Sequence, residues 1–259
     1  MKYFRQFHSI IYKILLLTGL LIIPMVSDAQ PGGYPGGYPG GYPGGHHGGV
    51  FGLPPIISFS IHLDPVISWF STDISDVRNQ GARPGFRFGV SCNRYFSPNY
   101  SFSTGIDIIS SGGRLVNNTP VLFELVNHPD ILVEVSQNEP IVYRLQYLSV
   151  PLGLKLQTNQ IGYYTFFSDI GLDPKVLIAG KADIPSLYLK NEKAVTELRK
   201  INLSYHIMGG IEYSLGGSTA AIIGLGFENN FLDTTKDLND QPQDKVSHKL
   251  LSFRFGVIF

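Results

Sequence analysis

The sequence predicts an all-β fold, specifically an eight-stranded antiparallel up-and-down transmembrane β-barrel with short periplasmic turns and long extracellular loops. Three observations lead there. Eight segments after Val50 alternate apolar and polar residues with period two. The connections between those segments alternate short and long. Charged residues make up only 15% of the 259-residue chain, against roughly 25% in ordinary soluble domains, and 29 Gly, 17 Phe and 14 Tyr occupy their place. Twenty bases against twenty acids leave no net charge to attract a polyanion, so nucleic acid is not an expected partner. A single Cys excludes a disulfide framework and Cys-based metal centres, and no cofactor is expected.

Residues 1–29 read as a signal peptide. Lys2, Arg5 and Lys13 precede the apolar run Ile14–Val26, and Ser27-Asp28-Ala29 supplies the small residues that favour cleavage between Ala29 and Gln30. The run has 13 residues, short of the roughly 20 that a membrane-spanning helix needs. Cleavage removes three bases and one acid, so the mature chain carries a formal charge of −2. Residues 30–49 follow as a flexible tail: Pro-Gly-Gly-Tyr occurs three times from Pro31, and Pro43-Gly44-Gly45-His46 is a fourth, altered copy. Gly and Pro at this density cannot bury enough surface to fold alone. The tail is a tether, with its spaced Tyr rings available to dock on a partner.

Residues 50–259 form the barrel domain. The first strand sets Ile57, Phe59, Ile61 and Leu63 against Ser58, Ser60, His62 and Asp64; the second sets Phe86, Phe88, Val90 and Cys92 against Arg87, Gly89, Ser91 and Asn93. The third opposes Tyr100, Phe102, Thr104, Ile106 and Ile108 to Ser101, Ser103, Gly105 and Asp107. In the fourth, Leu148, Val150, Leu152, Leu154 and Leu156 alternate with Tyr147, Ser149, Pro151, Gly153 and Lys155. A fifth, Ile161–Ile178, is aromatic-rich but of ambiguous phase. The sixth (Asn202–Leu215), seventh (Ala221–Asn230) and eighth (Leu251–Phe259) alternate again. Ten residues rise about 33 Å, and a tilt near 45° brings that to roughly 23 Å, the height of an outer-membrane apolar band. An open edge in hydrocarbon would leave N–H and C=O groups unpaired, so the sheet must close.

Every charge on the polar parity should then face the lumen. Eight strands leave an interior only wide enough for its own side chains, so Asp64, Arg87, Asp107, Lys155, Glu212, Glu228 and Arg254 are expected to pair inside it. Short turns fall around Phe96–Asn99, Thr158–Gln160 and Gly216–Gly217; long links run from about Gly112 to Glu139, Lys181 to Lys200 and Asp233 to Val246. Both termini then lie in the periplasm. Within the longest link, Val121–Val126 and Ile131–Val135 flank the turn-forming Asn127-His128-Pro129-Asp130. A hairpin there offers Leu122, Phe123, Leu132 and Val133 as a partner surface, or folds over the mouth as a plug.

Pro65-Val66-Ile67-Ser68-Trp69, Tyr147-Leu148-Ser149-Val150-Pro151-Leu152-Gly153-Leu154-Lys155, Gly209-Gly210-Ile211-Glu212-Tyr213 and the closing Phe253-Arg254-Phe255-Gly256-Val257-Ile258-Phe259 resemble, in their order and spacing, the PorT-like outer-membrane barrels of Gram-negative bacteria. The resemblance covers roughly residues 56–259. It implies an outer-membrane barrel, and some members serve a protein secretion apparatus. It also implies that Phe259 is the carboxyl-end aromatic read by barrel-insertion machinery. Outer-membrane lipids, that machinery and other envelope or secretion proteins are the expected partners.

No catalytic set is legible. Ser204 and His206 share a face, as do His62 and Asp64, but residues two apart in a strand have Cα atoms about 6.6 Å apart and no orienting carboxylate is identifiable. There is no phosphate loop, zinc-protease motif or dinucleotide fingerprint. A non-enzymatic binding or scaffolding barrel is the first expectation. A narrow solute channel and an exported soluble ligand-binding barrel with inverted parity are the alternatives.

Overall fold

The computed structural model describes residues 56–74, 76–124, 132–193, 198–235 and 245–259. The proposed cleavage site at Ala29 and Gln30, the repeat tail and the Asn127–Asp130 turn lie outside these residues. Among the described residues there are thirteen strands: β1 Ile57–Thr72, β2 Val77–Asn79, β3 Arg83–Ser97, β4 Tyr100–Asn117, β5 Val121–Glu124, β6 Leu132–Val135, β7 Pro140–Ser149, β8 Leu152–Gln157, β9 Tyr164–Ile184, β10 Leu189–Lys193, β11 Ile201–Gly216, β12 Thr219–Asn230 and β13 Val246–Ile258. Long staves pair antiparallel around a closed ring of eight, in the order β1, β3, β4, β7 with β8, β9, β11, β12, β13 and back to β1. The predicted fold class is therefore the observed one. The ring closes through β13 and β1, where the Phe59 N–H donates to the Phe259 carbonyl at 3.0 Å and the Phe259 N–H returns to Phe59 at 2.9 Å.

The alternation read from the sequence sets which side chains point inward. In β1, Ser58, Ser60, His62 and Asp64 are buried while Ile57, Phe59, Ile61 and Leu63 are exposed. The same holds in β3, β4, β11, β12 and β13, giving a polar interior inside an apolar belt. That is the reverse of what a soluble ligand-binding barrel needs. In the eighth stave, Phe253 and Phe255 are 40% and 51% exposed.

Two places depart from simple alternation. The fourth stave is broken at Val150-Pro151, between β7 and β8. Pro151 has no N–H to donate, and across the break the Val150 N–H reaches the Pro174 carbonyl at 3.0 Å. Val150, read from sequence as outward-facing, is buried at 8% exposure. The fifth stave, β9, carries a register shift opposite Gln146/Tyr147, where Leu177 and Ala179 rather than adjacent residues take the pairs. A β-bulge of this kind moves the inward parity by one: Phe167, Asp173, Lys175 and Leu177 are buried below it, Ala182 and Ile184 above it. This is why its phase cannot be read from periodicity.

The strands also run further than the belt. β4 continues to Asn117 and β7 starts at Pro140, shortening the link placed from Gly112 to Glu139. In this extension the polarity reverses. Phe70, Ile109, Leu115, Ile141, Tyr143 and Leu145 point inward and join one apolar cluster, whereas Arg114, Gln146 and Lys181 are exposed outside. Beyond hydrocarbon the outer medium is water, so burial of apolar surface again favours an apolar inside.

Candidate functional site

The site with most chemistry is the interior between the two ends of the ring. Each stave contributes inward residues two apart. β1 brings His62 and Asp64, β3 Arg87, β4 Asp107, β8 Lys155, β11 Ser204, His206 and Glu212, β12 Glu228, and β13 Arg254. To these β9 adds Asp169, Asp173 and Lys175, which the ambiguous phase of that segment hid. Counting outward from the charges would have found them, since positions 169, 171, 173 and 175 lie on one strand face.

The structure brings the seven sequence-derived charges into ion pairs with one another, and β9 into the same network. Arg254 holds Asp64 by Nη2 at 3.0 Å and by Nε at 3.2 Å to Oδ2. Lys155 pairs with Glu212, its ammonium 5.1 Å from the centre of the Phe167 ring. Glu228 is the node: it pairs with both Arg87 and Lys175 and accepts the Ser204 hydroxyl at 2.7 Å. Arg87 Nε also lies 3.8 Å from Asp107 Oδ2. His62 Nε2 stands 3.4 Å from Asp107 Oδ1 and 3.2 Å from Arg254 Nη2. Each charge is removed from water with a partner, which is the condition under which buried ions are tolerated.

Neither sequence-adjacent pair forms a nucleophile and base. The Ser204 hydroxyl is turned to Glu228, while His206 Nδ1 is 2.9 Å from Asp173 and Nε2 3.5 Å from Asp169. Ser103 donates to Asp169 at 2.9 Å. Among the described residues no group of three or more His, Cys, Asp or Glu is placed to hold a metal ion.

The inward charged side chains Asp64, Arg87, Asp107, Lys155, Lys175 and Glu228 are buried. A cavity of about 20 Å³ lies among Arg87, Asp107, Asp169, Asp173, His206 and Arg254, room for one or two waters. At the long-loop end the lumen meets the apolar cluster built on Phe70, Tyr143 and Tyr147. At the short-turn end Phe167, Met208, Ile222 and Ile258 pack together, and the Tyr95 hydroxyl reaches Gln157 at 3.2 Å.

The hairpin expected in the longest link is present as a ladder: β5 pairs with β6, Phe123 opposite Val133 and Leu122 opposite Glu134. The side chains of Leu122, Phe123 and Leu132 are outside the described set. Val135 is buried at 2% within the apolar cluster and Val133 packs partly against it, so the returning strand is joined to this cluster, which caps the lumen at the long-loop end.

The chain belongs to the outer membrane protein beta-barrel domain family, whose sequence profile matches residues 57–231. It is thus an outer-membrane β-barrel. Among solved structures it is similar to Neisserial surface protein A (11% identity, TM-score 0.43, covering 77% of this chain and 95% of that one). It is also similar to OprG from Pseudomonas aeruginosa (10%, TM-score 0.42, 78% and 95%) and to the attachment invasion locus protein Ail of Yersinia pestis in complex with sucrose octasulfate (16%, TM-score 0.36, 77% and 98%). No curated protein matches.

Proposed function

We propose that this protein acts without catalysis, as a closed outer-membrane barrel that binds or scaffolds other envelope components at its long-loop end. The observation that carries this reading is the obstruction of the lumen. Paired charges fill its middle, and aromatic and aliphatic side chains close over it at the long-loop end. A barrel filled in this way has its working surface outside the lumen. On this reading the long connections face the cell exterior, and Phe259 and the Pro-Gly-Gly-Tyr tail face the periplasm, where the insertion machinery meets its clients. The motifs that resemble PorT-like barrels extend the proposal to a role beside a protein secretion apparatus.

The deciding experiment is single-channel recording in planar bilayers. The closed lumen predicts no resolved openings, and regular conductance steps would favour the narrow-channel reading, which the polar interior and its water-sized cavity support. Cross-linking from the long loops in native envelopes should capture a protein of the envelope or secretion machinery.

A further inference from the structure

Outside the lumen, one face of the ring carries an unbalanced cluster of bases. Gly112 of β4, Arg144 of β7 and Lys181 of β9 are direct cross-strand neighbours, and one step along the strands Arg114, Val142 and Asp183 form the next row. Arg83 at the start of β3 lies over Gly112: a Cβ there would stand 3.2 Å from the Arg83 Cδ. The charges that act on Arg83 are Arg144, Asp183 and Arg114. Among the described residues the one carboxylate within ion-pairing distance of this cluster is Asp183, engaged by Arg144 and by the Asn191 N–H at 2.8 Å. Arg83, Arg114 and Lys181 have no carboxylate within 4.0 Å among the described residues.

The height of the cluster is informative. On the same staves the exposed apolar belt ends with Phe86, Ile108 and Ile178. Arg83, Lys181 and Arg114 lie three to six residues past those positions. At about 2.3 Å of height per tilted strand residue, that is roughly 7–14 Å above the last acyl-chain contact. The headgroup layer beyond the hydrocarbon is about 5–8 Å deep, and long basic side chains reach back into it. Trp69, the residue next to Arg83's cross-strand partner Ser68, is the kind of side chain that marks this depth.

We infer that Arg83, Arg114, Arg144 and Lys181 form a binding site for the anionic phosphate headgroup of a lipid in the leaflet at the long-loop end. Guanidinium forks match phosphate oxygens two at a time, and each base near a charged membrane surface contributes attraction. The inference uses the position of the belt and not the binding or scaffolding role, so either can fail without the other.

Trp69 is the sole tryptophan and serves as donor. The full chain is folded into phosphatidylcholine nanodiscs doped with acyl-dansylated phosphatidylglycerol or, in parallel, acyl-dansylated phosphatidylcholine, and energy transfer from Trp69 is compared. Transfer to the anionic lipid should exceed transfer to the zwitterionic one. That excess should fall by about five-fold per cation removed in Arg83→Gln, Arg114→Gln and Lys181→Gln, variants that keep the Arg144–Asp183 pair. Heat-shifted gel mobility identifies the samples that are folded. An unchanged excess in the folded triple variant would overturn the site. So would an equal loss on Lys249→Gln alone, since Lys249 is Trp69's neighbour on β13 and outside the cluster. Millimolar inorganic phosphate should leave the lipid signal standing; its abolition would make this a free-anion site instead.

Discussion

Arg254 and Asp64 meet across the seam where the last strand joins the first, with Nη2 3.0 Å and Nε 3.2 Å from the same carboxylate oxygen. Asp64 is wholly buried. The pair therefore joins the ends of the barrel domain by side chains as well as by the β1–β13 ladder. Asp64→Asn alone strands a guanidinium in the lumen and should cost about 3–5 kcal/mol. The double variant Asp64→Asn with Arg254→Gln should recover most of that loss. Urea unfolding in lipid vesicles, followed by Trp69 fluorescence, measures both.

Glu228 should be the most sensitive carboxylate in the lumen, because Arg87, Lys175 and Ser204 all depend on it. Glu228→Gln leaves Lys175 without its ion-pair partner and Arg87 with Asp107 alone, and should lower stability by about 3–5 kcal/mol. Ser204→Ala removes one hydrogen bond and should lower it by about 1 kcal/mol. Equal effects in the same unfolding assay would contradict the node.

Glycine at position 89 makes room for the charges. A Cβ there would stand 2.0 Å from Asp107 Oδ1 and 2.9 Å from His62 Nε2. Gly89→Val should abolish the heat-shifted band on gels. Gly209 on the outer face would meet only the Phe167 carbonyl, at 3.8 Å, and Gly209→Ala should fold normally.

The outward parity of β13 can be tested against lipid directly. Phe255 is 51% exposed, and Phe255→Lys should destabilise the folded barrel by about 2–4 kcal/mol if it faces mid-bilayer. Shortening the chain by Phe259 removes the two backbone hydrogen bonds to Phe59 and the terminal aromatic. Assembly in cells, read as the rate at which the heat-shifted form appears, should slow.

Six of the eight staves are legible because a strand with lipid on one side and a polar lumen on the other has to alternate, and β1, β3, β4, β11, β12 and β13 do so at the level of the apolar belt. β9 was illegible for a local reason, the bulge at Leu177–Ala179. With its phase went Asp169, Asp173 and Lys175, and with them the second cation on Glu228. Val150 is buried against its outward parity because Pro151 interrupts the ladder on which the alternation depends. The cap was illegible for a general reason: Ile109 and Leu115 lie on the inward parity of a strand whose lower inward residues are polar, and only the end of the belt shows where the outer solvent changes.

By itself the sequence determined the closed eight-stave ring and the inward direction of its charges, since period-two patterning is local and every residue carries its own vote. The tertiary structure alone decided which charges meet: Arg87 and Glu228 are 141 residues apart and Asp64 and Arg254 are 190 apart. Partner choice across a lumen depends on strand register and on the height each stave reaches, and both are summed over all eight pairings before any two side chains come face to face.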